Sequence, residues 1–238
     1  MERVDSQLPN SGPTISHLQF ADDVIFLGVW SRSNVSNLLR LLRCYQLSSG
    51  LKVNINKSYI MGVGVEEAEV TSFAERVHYK AGRFPFTYLG LPIGASMNKC
   101  DSWAPLIEKC RSKLSSWKAS ILSFGGRLVL AKAVLGSFGI YYLSLFKAPK
   151  KIINKLESIR CSFFWGSKQG SKKIAWMNWQ SVLANKIDGG LGIGSLQAQN
   201  LALLARWWWR FKTEANSLWR KVIVSLHGDD RGFGRLSW

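Results

Sequence analysis

The sequence predicts an α+β fold in two parts, a short stretch of alternating strands and helices followed by a mostly helical region. Three observations lead there. The first 92 residues switch between period-two and helical hydrophobic patterns. From Asp101 onward the periodicity is mostly helical. Between Ser102 and Lys186 acidic residues nearly vanish, leaving Glu108 and Glu157 against fifteen Lys or Arg. Hydrophobic residues make up 47% of the 238-residue chain, enough to bury a core, so the chain as a whole is not disordered. The formal net charge of +17 favours a polyanionic partner, nucleic acid or an anionic membrane surface. Cys44, Cys100, Cys110 and Cys161 show no CxxC or CxxH spacing, which argues against a zinc site or a disulfide framework. Reduced thiols in an intracellular compartment follow as the default. Positions 1 to 20 lack the apolar core of a signal peptide. The longest apolar stretch, Ala133 to Phe146, is too short and too mixed to span a bilayer.

The elements follow in order. Residues 1–14, polar and containing Pro9, Gly12 and Pro13, read as an extended lead-in. Ile15 to Gly28 holds two apolar, strand-favouring runs around Ala21-Asp22-Asp23, the pattern of a β-hairpin with the aspartates at its tip. Val35, Leu38, Leu39, Leu42 and Tyr45 recur at helical spacing over Asn34 to Leu47, with capping residues before them and Gly50 suited to the C′ position. Leu51, Val53 and Ile55 alternate with polar residues, the period of a half-buried strand. Glu66 to Val77 reads as a short helix whose first-turn glutamates suit the helix dipole. Phe84 to Pro92 returns to a strand-like pattern centred on Tyr88-Leu89-Gly90-Leu91.

In the helical part, Asp101 or Ser102 caps a helix with Trp103, Leu106, Ile107, Cys110, Leu114 and Trp117 on its apolar side. Leu128 to Leu143 is a second apolar helix, with breaks expected at Gly136 or Gly139. Pro149 opens a third that runs to about Phe164 and buries Ile152, Ile153, Leu156, Ile159 and Phe163. A loop over Ser167 to Lys173 precedes Trp176 and Trp179. Asp188 to Gly194 is a glycine-rich turn without the Lys-Ser/Thr of a phosphate loop, so it carries little weight as a nucleotide site. Leu196 to Thr213 is the last helix. Its three consecutive tryptophans cannot all face one core, so at least one is exposed or meets a partner. The tail from His227 is glycine-rich and charged.

An aspartate pair at a tight tip has two readings. It is a solvated polar turn, or it holds a divalent cation, since hard cations take carboxylate oxygens. Three segments in order extend the second reading. Phe20-Ala21-Asp22-Asp23 lies between apolar strands, Ser49 to Ser58 (SGLKVNINKS) follows, and Tyr88 to Gly94 (YLGLPIG) comes third. Together they resemble the C-terminal half of the reverse transcriptase of a plant non-LTR (LINE-type) retrotransposon. Lys113 to Lys118 (KLSSWK), Leu122 to Arg127 (LSFGGR), Phe163 to Gly166 (FFWG), Gly189 to Ile193 (GGLGI) and Asn200 to Ala205 (NLALLA) resemble the region after the palm in those proteins. The resemblance covers about residues 12–225.

That resemblance implies a partial polymerase palm over 15–92, a helical thumb and following helical region over 93–225, and a flexible tail over 226–238. It implies RNA-directed DNA polymerase chemistry, in which two Mg²⁺ ions activate the primer 3′-hydroxyl and steady the leaving pyrophosphate. Asp22 would be the main metal ligand and Asp23 the weaker one. Lys57 would neutralise or protonate the leaving phosphate, although a solvated lysine after a strand is an equal reading. Tyr88, Leu89 and Gly90 match the stretch that grips the primer end, which a core strand explains nearly as well. Lys113, Lys118, Arg127 and Lys132 would track the backbone of an RNA template–DNA primer duplex. No membrane partner is implied.

The family's further metal-binding aspartate and its fingers lie upstream of the pair, and Glu2 and Asp5 do not resemble that earlier motif. The sequence therefore resembles a truncated copy, with an incomplete palm sheet, an open edge and exposed apolar surface. Half a two-metal site is expected to bind Mg²⁺ weakly and the chain to be inactive alone. The alternatives are a non-catalytic nucleic-acid-binding remnant, marked by the basic region, and a decayed open reading frame without a selected role.

Overall fold

A computed structural model describes residues 6–134, 139–166 and 175–229; of Ser6, Gln7, Ser116, Trp117 and Val134 it describes the backbone alone. The chain divides into two compact units. One draws on residues up to Phe86 and from Phe211 onward, the other on Thr87–Arg210.

In the first unit, residues 6–15 do more than extend. Strand β1 (Ser6–Gln7) pairs antiparallel with β2 (Thr14–Ile15). The turn between them lies against α10 (Leu218–His227), where Asn10 donates to the Ser225 carbonyl over 2.9 Å. Only glycine fits at position 12, because a Cβ there would come within 2.5 Å of Ser225 Cβ. Strands β3 (His17–Phe20) and β4 (Asp23–Phe26) form the expected hairpin. Helix α1 (Arg32–Ser49) starts two residues before the expected Asn34 and ends on Gly50 at φ +75°. The left-handed turn there suits glycine, and its amide closes the helix on the Gln46 carbonyl at 2.9 Å.

The alternation at Leu51, Val53 and Ile55 does not make a strand. Residues 51–54 are irregular and Ile55–Lys57 is a single 3₁₀ turn; among the described residues no strand pairs with this stretch. The strand comes just after, as β5 (Tyr59–Ile60), and pairs in parallel with β6 (Lys80–Ala81). Helix α2 (Glu67–Arg76) makes the crossover, as parallel pairing requires. Its Val70, Phe73 and Ala74 are the buried residues, and the Trp30 ring meets Phe73 edge-on at 6.1 Å. Trp30 Nε1 donates to Glu69, which fastens the start of α1 to α2.

Phe84 to Pro92 was expected to be one strand centred on Tyr88 to Leu91, and this is corrected by the backbone. It is a hairpin, β7 (Phe86–Tyr88) with β8 (Leu91–Ile93). Leu89 and Gly90 both have positive φ, +50° and +80°, which is the two-residue turn whose twist suits paired strands. The expected centre of the strand is thus its reversal.

The second unit is helical. A 3₁₀ turn (Cys100–Trp103) leads into α3 (Ala104–Lys113), followed by α4 (Ser116–Ile121), α5 (Phe124–Val134), α6 (Ile140–Leu145), α7 (Lys150–Phe164), α8 (Trp179–Leu183) and α9 (Leu196–Thr213). Neither Asp101 nor Ser102 caps α3. Both sit inside the 3₁₀ turn, and Pro105 starts the helix in its first turn. Of the expected helix from Leu128 to Leu143, the structure describes the end of α5, to Val134, and α6, with Gly139 as its N-cap; residues 135–138 between them lie outside the described residues. The expected break at Gly136, the loop over Ser167 to Lys173, the side chain of Trp117 and the tail beyond residue 229 lie outside the described residues.

The apolar faces read from the sequence become one core. Trp103, Leu106, Cys110 and Leu114 meet Ile152, Ile153, Leu156 and Phe163, all buried, with Ala119, Ala131, Leu143 and Leu196 between them. Ile107 and Ile159 are half-buried at its edge. Trp103 donates its indole N–H to the Met97 carbonyl at 2.8 Å, so the largest core residue leaves no polar atom unpaired.

Polar groups fix how the helices join. Glu157 of α7 accepts from Arg160, from the Trp179 indole at 2.9 Å and from the Leu196 amide at 2.9 Å. One carboxylate thus holds α7, α8 and the start of α9. Asn200 of α9 donates to the Leu143 and Phe146 carbonyls and accepts the Ala148 amide. Arg160 is only 2% exposed, and burial pulls its pKa down while Glu157 pushes it back up. Replacing Glu157 strands that cation. We expect Glu157→Gln to cost about 3 kcal/mol in urea unfolding, within the range for breaking a buried pair.

All four cysteines are free. Cys44 and Cys100 are exposed, whereas burial raises the Cys110 thiol to about 11. A raised thiol pKa keeps the unreactive protonated form through neutral pH. In iodoacetamide labelling followed by peptide mass spectrometry, Cys44 and Cys100 should react in the native protein and Cys110 only after denaturant is added.

Candidate metal centre and nucleic-acid surface

The hairpin register places the two aspartates. Phe20 pairs with Asp23, Gln19 with Val24, Leu18 with Ile25 and His17 with Phe26, and the Leu27 amide reaches the Ser16 carbonyl. Ala21 and Asp22 are therefore the two-residue turn, one residue tighter than the three-residue tip of the sequence reading. Ala21 takes φ +52° and Asp22 does not follow it to positive φ. A positive φ at the first turn position is a geometry that favours glycine, and an alanine there costs about 1–2 kcal/mol. Asp22 stands at the tip and Asp23 begins the returning strand.

Side chains alternate across the hairpin, so Leu18, Phe20, Asp23 and Ile25 share one face. His17, Gln19, Val24 and Phe26 share the other. Both faces are open: Leu18, Phe20, Val24 and Phe26 are 46%, 63%, 38% and 42% exposed. Both carboxylates are exposed as well. A resident Mg²⁺ needs a fuller set of oxygen ligands than two exposed carboxylates supply. No group of three or more His, Cys, Asp or Glu side chains converges among the described residues. The donor set does not fit a tightly held ion.

Lys57 ends the 3₁₀ turn and is exposed, with Lys80 donating to the neighbouring Asn56 carbonyl at 3.0 Å. Asp22, Asp23 and Lys57 belong to the first unit. Tyr88, Leu89, Gly90 and the four chosen cations belong to the second. Tyr88 and Leu89 are half-buried, and the Gly90 carbonyl accepts the Tyr142 hydroxyl at 2.9 Å, anchoring this turn to α6.

The cations divide by what they touch. Lys113 is exposed at the end of α3. Lys118 lies half-buried, 3.4 Å from the Lys113 carbonyl. Arg127 donates to the Ala119 carbonyl at 3.1 Å and Lys132 to the Leu191 carbonyl at 3.0 Å. The latter two are also joints of the helical unit. The glycine-rich turn is another joint. The amides of Gly190, Leu191, Gly192 and Gly194 bond the carbonyls of Asn185, Val182, Ala184 and Leu183. A Cβ at Gly190 would come within 2.2 Å of the Ala184 carbonyl oxygen. With its amides committed to that strap, the turn does not cradle a phosphate.

Sequence reasoning missed the Glu157–Arg160–Trp179 cluster. The signal was present: one of the two carboxylates in a long basic region sits one turn before an arginine.

No known family profile matches the chain. Two curated proteins of Arabidopsis thaliana are similar to parts of it. One, whose name assigns it provisionally as a ribonuclease H protein, is 37% identical over 133 residues, 56% of this chain and 22% of that protein. The other, an uncharacterised mitochondrial protein, is 34% identical over 89 residues, 37% of this chain and 58% of that protein. The chain therefore spans less than two thirds of either relative.

The division among the cations is testable. Lys132→Ala should lower stability by about 1 kcal/mol through the lost bond to Leu191, whereas Lys113→Ala should change it by less than about 0.5 kcal/mol. Thermal unfolding of the two variants beside the unaltered chain reads the difference.

Proposed function

We propose that the chain is a retrotransposon-derived fragment of a plant non-LTR reverse transcriptase, with a partial palm and a helical thumb. On this reading it does not polymerise alone and retains binding to nucleic-acid backbones. The observation that carries the reading is the two-residue hairpin, which sets Asp22 in its turn and Asp23 at the start of the returning strand, in fixed register. That arrangement suits half of a two-metal polymerase centre, with the remaining ligands to come from elsewhere. The Arabidopsis relatives support a mobile-element origin, since one carries the name of a nucleic-acid enzyme. The basic helical region supports the binding. Glu108 pairs with Arg111 and Glu157 with Arg160, and fifteen Lys or Arg against these two carboxylates leave a large excess of positive charge to be neutralised. Phosphates of a duplex would do so, without sequence preference.

In a primer-extension assay on poly(rA)–oligo(dT) with Mg²⁺, we expect no product. Extension that Asp22→Ala abolishes would contradict the reading. In filter binding to an RNA–DNA duplex, four phosphate contacts would lower affinity on the order of a hundredfold between about 50 and 200 mM salt. A flat salt response sinks the backbone-binding part.

A further inference from the structure

The outward face of α7 opens onto a cleft that the palm and thumb reading does not use. At 100° per residue, Lys150, Lys151, Asn154, Lys155, Ser158 and Ser162 fall within about 140° of the helix circumference. All six are exposed, and none is acidic or apolar. Among the described residues no carboxylate pairs with the three lysines. Lys151 and Lys155 are like charges at i and i+4, a pairing that weakens a helix and that an anion beside them relieves.

The cleft lies within the second unit, between α7, α8 and the start of α9. It measures about 320 Å³, the small end of the range for ligand sites, and its wall includes Asn154, Glu157, Ser158, Trp179, Gln180 and Gln197. Asn154 and Ser158 belong to both the cleft and the lysine face. Lys150 and Lys151 stand four and three residues before Asn154, and Lys155 three before Ser158. Side chains at that spacing are neighbours on a helix, so the lysines border the cleft. Glu157, the one carboxylate in the wall, has its charge met by Arg160, and its oxygens also accept the Trp179 indole and the Leu196 amide. The side-chain amides of Asn154, Gln180 and Gln197 bond no other described residue.

We propose that this cleft takes one unpaired nucleotide of a nucleic-acid strand, its base against the carboxamides and the adjoining phosphates against Lys151 and Lys155. A nucleotide joins a neutral base, rich in donors and acceptors, to an anionic phosphate. The site has the same division, with neutral amides in the wall and cations along the border. A carboxamide carries donor and acceptor side by side and meets a base edge that does the same. In a duplex the pairing edge is taken, and drawing the base out of the stack costs free energy. An acidic peptide helix is disfavoured, because the outward face of α7 has no apolar residue to receive its anchors. The same lack disfavours insertion into a bilayer interface. The inference rests on the proposed reading only in taking the partner to be a nucleic acid.

The test uses the full chain and fluorescence anisotropy with labelled oligo(dA), a labelled blunt RNA–DNA duplex and labelled poly(Glu). Asn154→Ala/Gln180→Ala should weaken oligo(dA) binding about tenfold and leave duplex affinity unchanged. It should also leave the salt dependence as it was. Lys151→Ala/Lys155→Ala should instead flatten that dependence, by about 0.7 in the log–log slope for each lysine. Asn154→Asp keeps the shape of the side chain and should weaken oligo(dA) binding at least as much. It carries the test if circular dichroism finds the double alanine variant altered. Oligo(dA) affinity unchanged in the amide variants overturns the proposal. So does an equal loss of duplex affinity in the double alanine variant, or poly(Glu) binding that this variant abolishes. If the unaltered chain binds neither nucleic acid, the broader reading falls with the cleft. Binding to both that ignores the amides removes the cleft alone.

Discussion

The helical unit depends on how one carboxylate is used. Glu157 sits inside a region of strong positive charge, and it faces inward. A buried guanidinium is tolerable only when its charge is met, and Arg160 meets Glu157 within the same turn of α7. The remaining lone pairs of that carboxylate take the Trp179 indole and the Leu196 amide, so charge compensation and helix joining are one arrangement. The consequence reaches the surface. Glu157 is used within and Glu108 pairs with Arg111, the two carboxylates among fifteen Lys or Arg from Ser102 to Lys186. The stretch carries a large excess of positive charge, and on the proposed reading that excess is what a polyanion would meet.

The hairpin shows the opposite economy. Its backbone is fully specified, by ladder bonds, a two-residue turn and a strained alanine, while its side chains have little to pack against. Four large apolar residues stand open on its two faces, and α1 likewise has no buried residue despite its apolar stripe, with Leu41 and Tyr45 each 51% exposed. Apolar stripes of this kind are surfaces built for cover. The same openness that leaves Asp22 and Asp23 accessible leaves them without a third ligand among the described residues.

How much was legible in the sequence follows from which signals were local. The helix Leu196 to Thr213 has the bounds its pattern gave, though it is not the last as expected, since α10 follows it, and α7 differs only in that Pro149 caps it where a first-turn position was expected. Long helices with a clear apolar face decide themselves. Gly50 closes α1 as its chemistry demands. The hairpin tip was legible because turn and flanking strands are contiguous. The strand at Leu51 to Ile55 failed because period-two alternation describes a surface and not a partner, and here no strand lies alongside. The two-residue pair β5 and β6 was invisible for the converse reason: its partners are separated by a whole helix. Tyr88 to Leu91 misled because Leu at position 89 hides a positive φ that an Asn or Gly would have announced. For the candidate site, the sequence could not say which cations are tied to the rest of the helical unit. Arg127 and Lys132 looked like free surface cations, yet both reach across to backbone carbonyls.

On the proposed reading, this chain holds nucleic acid through its helical unit while its carboxylate hairpin stands idle. Photocrosslinking locates the contact directly. A partial duplex with a single-stranded overhang, carrying photoreactive bases in both parts, would be irradiated with the full chain, and the linked peptides mapped by mass spectrometry. The account predicts crosslinks within Ser102 to Lys132, with none at His17 to Phe26. Crosslinks concentrated on the hairpin, or none above a heat-denatured control, would contradict it.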